Sequence, residues 1–305
     1  MKILILGASG TVGKPLFYTL SEKYEVHGTF NRNKPTDVPD AYLHKFDISD
    51  IASLDAILSA VKPNLIISSL AGNFEQQLEI HKHLEKYLWE ADGRMIFIST
   101  ANVFDGDVTG QHSEAKAPHP ISQYGKFKQA CEALLQMGLG DRCLIVRLPK
   151  IMDNKTAAQF LKQAETGDPP VYENLYMSFN TAKNVANAIK YCVDTDKCGV
   201  LHLTSHDSIS ISECMELLLA QADKEARLRA RFVQNNFLAD KKAGYTPQRL
   251  TVDSFCALLG CDDLSLLRHN TDNEFRMDLV CTDVNISARF GISCKEIFSS
   301  PFATL

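Results

Sequence analysis

Two rhythms of apolar residues alternate through the first half of the chain. Short apolar runs at 2–6 (KILIL), 64–68 (NLIIS), 95–99 and 143–147 (CLIVR) read as buried strands. Residues 24–30 (YEVHGTF) alternate as a strand does, and 43–46 reads as a short third strand. Between these runs, 11–22 puts Val12, Leu16, Phe17 and Leu20 on one helical face. Helices are also predicted over 50–60, ending before Pro63, over 75–91, and from Ser122 onward, after Pro118 and Pro120. Strands alternating with helices build a parallel, doubly wound sheet, and ligands dock at the carboxyl ends of such strands. After Pro149 the pattern loosens into helices at 155–167, 180–194 and 210–230, a strand at 201–204, and a polar, turn-like run at 269–274 (HNTDNE).

Composition removes several function classes. The chain has 305 residues, 45% of them hydrophobic, with net charge −5, so it has a real core and no basic excess for nucleic acid or an anionic membrane. Gly7 and Gly10 interrupt the apolar N-terminus too early for a secretory segment, and no apolar run approaches a membrane span. The expected compartment is therefore the cytoplasm. Nine scattered cysteines, with none among the first 130 residues and no Cys-x-x-Cys, exclude a disulfide framework. His81 and His83 project about 200° apart on a helix, so no metal site is expected from them.

The segment GASGTVG, 7–13, follows a strand and opens a helix. Gly7 permits the sharp turn, Gly10 leaves room for a pyrophosphate against backbone amides, and Gly13 lets the helix pack closely on the strand. The helix N-terminus then faces the anion. A tight turn without a ligand is the alternative. A dinucleotide reading makes Gly7, Ser9, Gly10, Thr11, Val12 and Gly13 cofactor-binding candidates, on an α/β fold of Rossmann type. The region after the second strand, TFNRNKP at 29–35, has no acid for a ribose hydroxyl; Arg32 and Lys34 are available for a 2′-phosphate, which favours NADP over NAD. Asp47, in FDISD, could reach the adenine amine or cap the helix that begins near Asp50.

Tyr124 and Lys128, in QYGKFK, share a helical face. By spacing alone they are either an ordinary surface pair or an acid and the cation that tunes it. Ahead of them, the strand in IFISTANVFDG ends in Ser99-Thr100, at the sheet edge where a cofactor would lie. With GASGTVG, the Asp47 region, STANVFDG and the YGKFK segment in this order, the chain resembles the extended short-chain dehydrogenase/reductase family, in its dTDP-4-dehydrorhamnose reductase-like branch. SFNTAKNVANAI (178–189) and GVLHLTSHDSISISE (199–213) resemble the second half of that branch more loosely. The resemblance implies Tyr124 as proton donor, Lys128 as its tuner and a ribose contact, and Thr100 as the third member. A neighbouring ammonium and an oxidised nicotinamide would lower the phenol from about 10 toward neutrality. The turn SSLAG, 68–72, resembles the one that passes the cofactor, which adds Leu70, Ala71 and Gly72 to the contacts, with Ile48 beside Asp47.

The implied organisation is a dinucleotide-binding domain over 1–149, completed by part of 178–205, and a smaller substrate-binding lobe over 150–305. The implied substrate is a nucleotide-diphosphate sugar, facing the long polar loop 105–121, with a homodimer as the assembly such reductases often adopt. Lys150, Lys155 and the run KEARLRARF (224–232), where Arg227 and Arg231 share a side, are candidates for the diphosphate; that run also reads as a solvated helix face. Three departures stand out. His81 occupies the stretch where many members carry a relay asparagine, and it could relay protons or simply pack. RLPKIM, 147–152, lacks the tryptophan that rhamnose-type reductases tend to place there. SSLAG lacks the more common asparagine and alanines. An epimerase or dehydratase with retained NAD, and a non-catalytic dinucleotide-binding regulatory subunit, are the competing readings.

Overall fold

The computed structural model describes residues 1–233, 247–261, 263–269 and 274–299. Seven strands form the main sheet: β1 (Lys2–Leu6), β2 (Glu25–Phe30), β3 (Leu43–Lys45), β4 (Leu65–Ser68), β5 (Arg94–Thr100), β6 (Cys143–Leu148) and β7 (Gly199–His202). Their order is β7-β6-β5-β4-β1-β2-β3, and every neighbouring pair is parallel. The α-helices up to residue 233 are α1 (Gly13–Ser21), α2 (Ile51–Val61), α3 (Phe74–Glu90), α4 (Gln123–Leu139), α5 (Asn154–Thr166), α6 (Ala182–Asp194) and α7 (Ile211–Val233).

Both faces of the sheet are covered, which is why its strands read as unbroken apolar runs. Ile3 and Ile5 pack with Leu16 and Leu20 of α1 and Val185 and Ile189 of α6. Leu4 and Leu6 pack on the other face with Leu54 of α2, Leu84 of α3 and Leu135 of α4. Each such side chain, wholly buried, contributes about 1.5–3 kcal/mol. Side-chain caps fix the helix starts. Asp50 accepts from the Ser53 amide, Asn73 from Gln76, Ser122 from Gly125 and Thr181 from Asn184. Because Thr181 is a cap, the expected helix at 180–194 starts at Ala182, and Phe179–Thr181 forms a short strand beside Lys150–Met152.

The chain winds outward from β1 to β3, then returns to β4 and winds the other way. The carboxyl ends of β1 and β4 therefore diverge at a switch point, the place where parallel α/β sheets leave a ligand crevice. A second sheet of four strands lies in the order Ile209–Ser210, Leu175–Met177, Phe275–Leu279, Thr109–His112. Its last strand comes from the expected loop 105–121, which is thus partly framework. Thr109–His112 pairs in parallel with Phe275–Leu279, while Val108 and Ile121 are core residues beside Phe275.

Candidate active site

The glycine turn sits at the switch point. Gly7 has φ +82°, and a Cβ there would stand 2.7 Å from the Ser69 carbonyl oxygen, so both conformation and space demand glycine. A Cβ on Gly13 would lie 2.1 Å from the Gly7 oxygen, which fixes the close approach of α1 to the turn. Gly10 is different. It is exposed, and a Cβ there would meet only the Gly7 oxygen, at 3.3 Å. The fold itself makes little demand for glycine at that position.

A cleft of about 570 Å³ opens beside this turn, within the usual range for small-molecule sites. Its walls include the expected Gly7, Ser9, Gly10, Arg32, Asp47, Ile48, Leu70, Ala71 and Gly72. They also include Thr29, Phe30, Asn31, Asn33, Phe46, Ser69 and Gln76, which sequence reading did not single out. Thr11, Val12 and Gly13 stand outside this wall. The Thr11 hydroxyl donates to Asp153 at 3.0 Å, Val12 packs against the core, and Gly13 begins α1. Lys34 also turns elsewhere, pairing with Asp40 at 2.7 Å, which leaves Arg32 as the cation on the cleft wall. Asp47 is not the cap of α2; Asp50 is. Asp47 instead accepts from the Ser49 hydroxyl and amide and from Asn31, bonds that hold its carboxyl below the ordinary value, with Arg32 adding to the effect.

Beyond the cleft, β5 ends in Thr100, whose side chain accepts from the Asn102 amide and opens a short turn at Ala101–Phe104. The N-terminus of α4 is moored to that turn. Asp105 accepts from the Ile121 and Ser122 amides at 2.7 and 3.2 Å and also from the Ser122 hydroxyl. Gly125 permits the contact, since a Cβ there would lie 2.3 Å from the Asn102 oxygen. This mooring brings Tyr124 near Thr100, whose hydroxyl donates to Asn102 Oδ1 at 3.0 Å. Lys128 follows one turn later and is buried. Its ammonium donates to the Ile98 carbonyl at 2.9 Å and lies 4.7 Å from the Phe97 ring centroid.

The titration of these groups differs in one respect from the sequence expectation. In the protein alone the Tyr124 phenol is raised, not lowered: partial burial pushes it up, and the nearby Thr100 hydroxyl only partly offsets this. The Lys128 ammonium is committed to the Ile98 carbonyl, 5.9 Å from the Tyr124 ring centroid. Burial brings Lys128 itself down to about 8, against an opposing pull from the Glu132 carboxylate.

His81 is wholly buried. Its Nδ1 lies 2.6 Å from the Gln77 carbonyl, which can only accept, so Nδ1 carries the proton. Nε2 then accepts from the Ser68 hydroxyl at 2.9 Å. Burial pushes His81 down to about 4. A neutral ring with both nitrogens engaged is a packing residue rather than a relay. His83 turns away to Asp55, and no cluster of metal-ligating side chains exists among the described residues.

Sequence reading also missed a buried ion pair behind the triad, between Glu132 of α4 and Arg147 of β6. Of the diphosphate candidates, Lys150 and Lys155 are exposed, and Lys155 lies in the first turn of α5. The side chains of Arg227 and Arg231 lie outside the described residues, as do 270–273 of the HNTDNE run. No helix of the described residues is long and apolar enough to cross a membrane.

A doubly wound parallel sheet, a glycine turn at its switch point and a Thr-Tyr-Lys group at the end of β5 define a dinucleotide-binding fold of the short-chain dehydrogenase/reductase type. Residues 1–240 match the family described as the RmlD substrate binding domain, and the chain belongs to it. A probable low-salt glycan biosynthesis reductase, Agl14, of Haloferax volcanii is 26% identical over 298 residues, 88% of this chain and 97% of that protein. A dTDP-4-dehydrorhamnose reductase of Aggregatibacter actinomycetemcomitans is 28% identical over 158 residues, 48% of this chain and 50% of that one. The fold is that of the dTDP-4-dehydrorhamnose reductase of Yersinia enterocolitica, with TM-score 0.68, 17% identity and 99% of each chain covered.

Proposed function

We propose that this chain is an NADP-preferring reductase that delivers hydride to the keto carbon of a nucleotide-diphosphate sugar, as dTDP-4-dehydrorhamnose reductases do. The observation that carries this reading is that Phe74, on the same first turn of α3 as the cleft residue Gln76, sets its ring 5.7 Å from that of Tyr124, which stands with Thr100 and Lys128. Membership of the RmlD family and the reductase names of its relatives support it. The cleft fits a dinucleotide. Its floor at Gly7 and Gly10 is bare backbone, and Arg32, with no acid in 29–35 at the end of β2, suits a 2′-phosphate.

When bound, the nicotinamide supplies the hydride. As charge develops on the substrate oxygen, the Tyr124 hydroxyl is placed to give it a proton, and the Thr100 hydroxyl to donate a hydrogen bond. Lys128 contributes its positive charge from one turn away, which opposes the upward push of burial on the phenol. The Phe74 ring packs against one side of Tyr124, 5.7 Å away between centroids. The second lobe, from residue 150 onward apart from the part of 178–205 that completes the dinucleotide-binding domain, is the substrate side in this reading. It includes the cytoplasm as the workplace and a homodimer as the assembly, which sedimentation would test.

The test is NADPH absorbance against a panel of 4-keto nucleotide sugars, with NADH in parallel. Net NADPH oxidation with at least one of them is expected. Protein that purifies with tightly held NAD and oxidises no NADPH with any member would overturn the reading.

A further inference from the structure

We propose that the buried Glu132–Arg147 pair sets the charge state of Lys128, and that both are positioning residues for the reaction. This rests on the reading of Tyr124 and Lys128 as the reacting pair.

The geometry is specific. Glu132 lies four residues after Lys128 on α4, so both point at the sheet, and they are 2% and 6% exposed. Arg147, 3% exposed, donates from Nη2 to Glu132 Oε2 at 2.8 Å and from Nε to Oε1 at 3.1 Å. Arg147 is the register partner of Ser99, and Ser99 donates to Glu132 as well. One carboxylate thus ties the helix bearing Tyr124 and Lys128 to the strand that ends in Thr100. Behind it, the guanidinium lies 5.1 Å from the Phe104 ring centroid, with Nη1 3.4 Å from His202 Nε2.

Stability alone gives weak reason to keep such a pair, since well-packed apolar residues of the same volume do as well or better. What the pair supplies is a balanced charge next to Lys128. The other groups facing that ammonium are uncharged at neutral pH. His81 of α3 is neutral, Cys131 of α4 is held as the thiol, with its pKa pushed up to about 12 by burial, and Tyr124 is a phenol. Cys143, next to Glu132 on β6, is likewise held as the thiol by burial. From β5 come the Ile98 carbonyl and the Ser99 hydroxyl. Among the described residues, then, Glu132 is the anion that acts on Lys128, and Arg147 is the cation paired with that anion.

The two charges have opposite effects. Glu132→Gln leaves the buried guanidinium uncompensated and should lower the Lys128 titration by about one pH unit. Arg147→Met leaves the carboxylate uncompensated and should raise it by about as much. The double variant should return to within a few tenths of a unit of the wild type. Arg147→Lys disturbs packing but keeps the charge, and should leave the titration in place. Carbon-13 NMR of lysine-labelled protein reads Lys128 directly, and the alkaline limb of kcat/KM reads it in turnover. Arg147→Gln replaces Arg147→Met if the latter does not fold.

Shifts of opposite sign in the two single variants are expected in the NMR titration, with the double variant near wild type. No shift, or shifts of the same sign, would overturn the proposal. The NMR titration needs no substrate, so the two claims fail separately. An NMR shift with an unmoved alkaline limb upholds the coupling and retires the role of Lys128 in hydride transfer.

Discussion

Gly10 and Gly13 make a paired experiment, because the fold constrains one of them and only a ligand constrains the other. An added methyl at Gly13 would stand 2.1 Å from the Gly7 oxygen and 2.9 Å from Ser69 Oγ. Relieving that overlap means moving backbone, and overpacking of this kind costs about 1–3 kcal/mol. Gly13→Ala should therefore lower the melting temperature by several degrees and, through the displaced turn, weaken dinucleotide binding too. At Gly10 the same methyl meets one oxygen at 3.3 Å and otherwise open cleft, with no positive φ to forbid it. Gly10→Ala should leave the melting temperature within a degree or two. If a pyrophosphate approaches the backbone there, the methyl displaces it, and NADPH affinity should fall at least about tenfold, equivalent to about 1.4 kcal/mol. Thermal unfolding and calorimetric NADPH titration of the two variants read both quantities. A Gly10→Ala protein that binds NADPH as tightly as wild type would refute the placement of the cofactor on this turn.

Two further outcomes follow from named groups. Arg32→Ser should weaken NADPH binding about tenfold or more and leave NADH nearly unchanged; equal losses for both would deny Arg32 the 2′-phosphate. Burial holds His81 and His202 down at about 4, against about 6.5 in an unfolded chain. Between those values the unfolded state binds protons that the folded state does not, so stability is complete above about pH 6.5 and is lost as pH falls toward 4. The two together give a slope of up to about 2.7 kcal/mol per pH unit. Urea unfolding at pH 7, 6 and 5 should show the decline, and an unfolding free energy that stays flat over this range would contradict it.

Sequence pattern anticipated what periodicity and turn chemistry encode. Apolar runs such as KILIL and CLIVR became β1 and β6, Ser122 became the cap of α4, and GASGTVG became the turn at the switch point. Features set by distant partners were not visible. TGQH, 109–112, has no apolar alternation and is a strand only because Phe275–Leu279 offers it an edge. Thr11 turned from the expected cofactor to Asp153, 142 residues away. Lys34 and Arg32 are two residues apart in one polar run, yet one pairs with Asp40 and the other lines the cleft. His81 looked able to relay protons until its two neighbours, Gln77 and Ser68, fixed its tautomer. The direction of the Tyr124 shift was likewise out of reach. It depends on what surrounds the phenol and where the Lys128 ammonium points, and Tyr-x-x-x-Lys spacing encodes neither.

The central claim is that the Tyr124 hydroxyl supplies the proton while the cofactor binds independently of it. Wild type and Tyr124→Phe should be compared in NADPH affinity and in turnover of the best keto-sugar nucleotide. The account predicts a loss of about 10²–10⁴ in kcat with NADPH affinity unchanged. Turnover within a few-fold of wild type would contradict it.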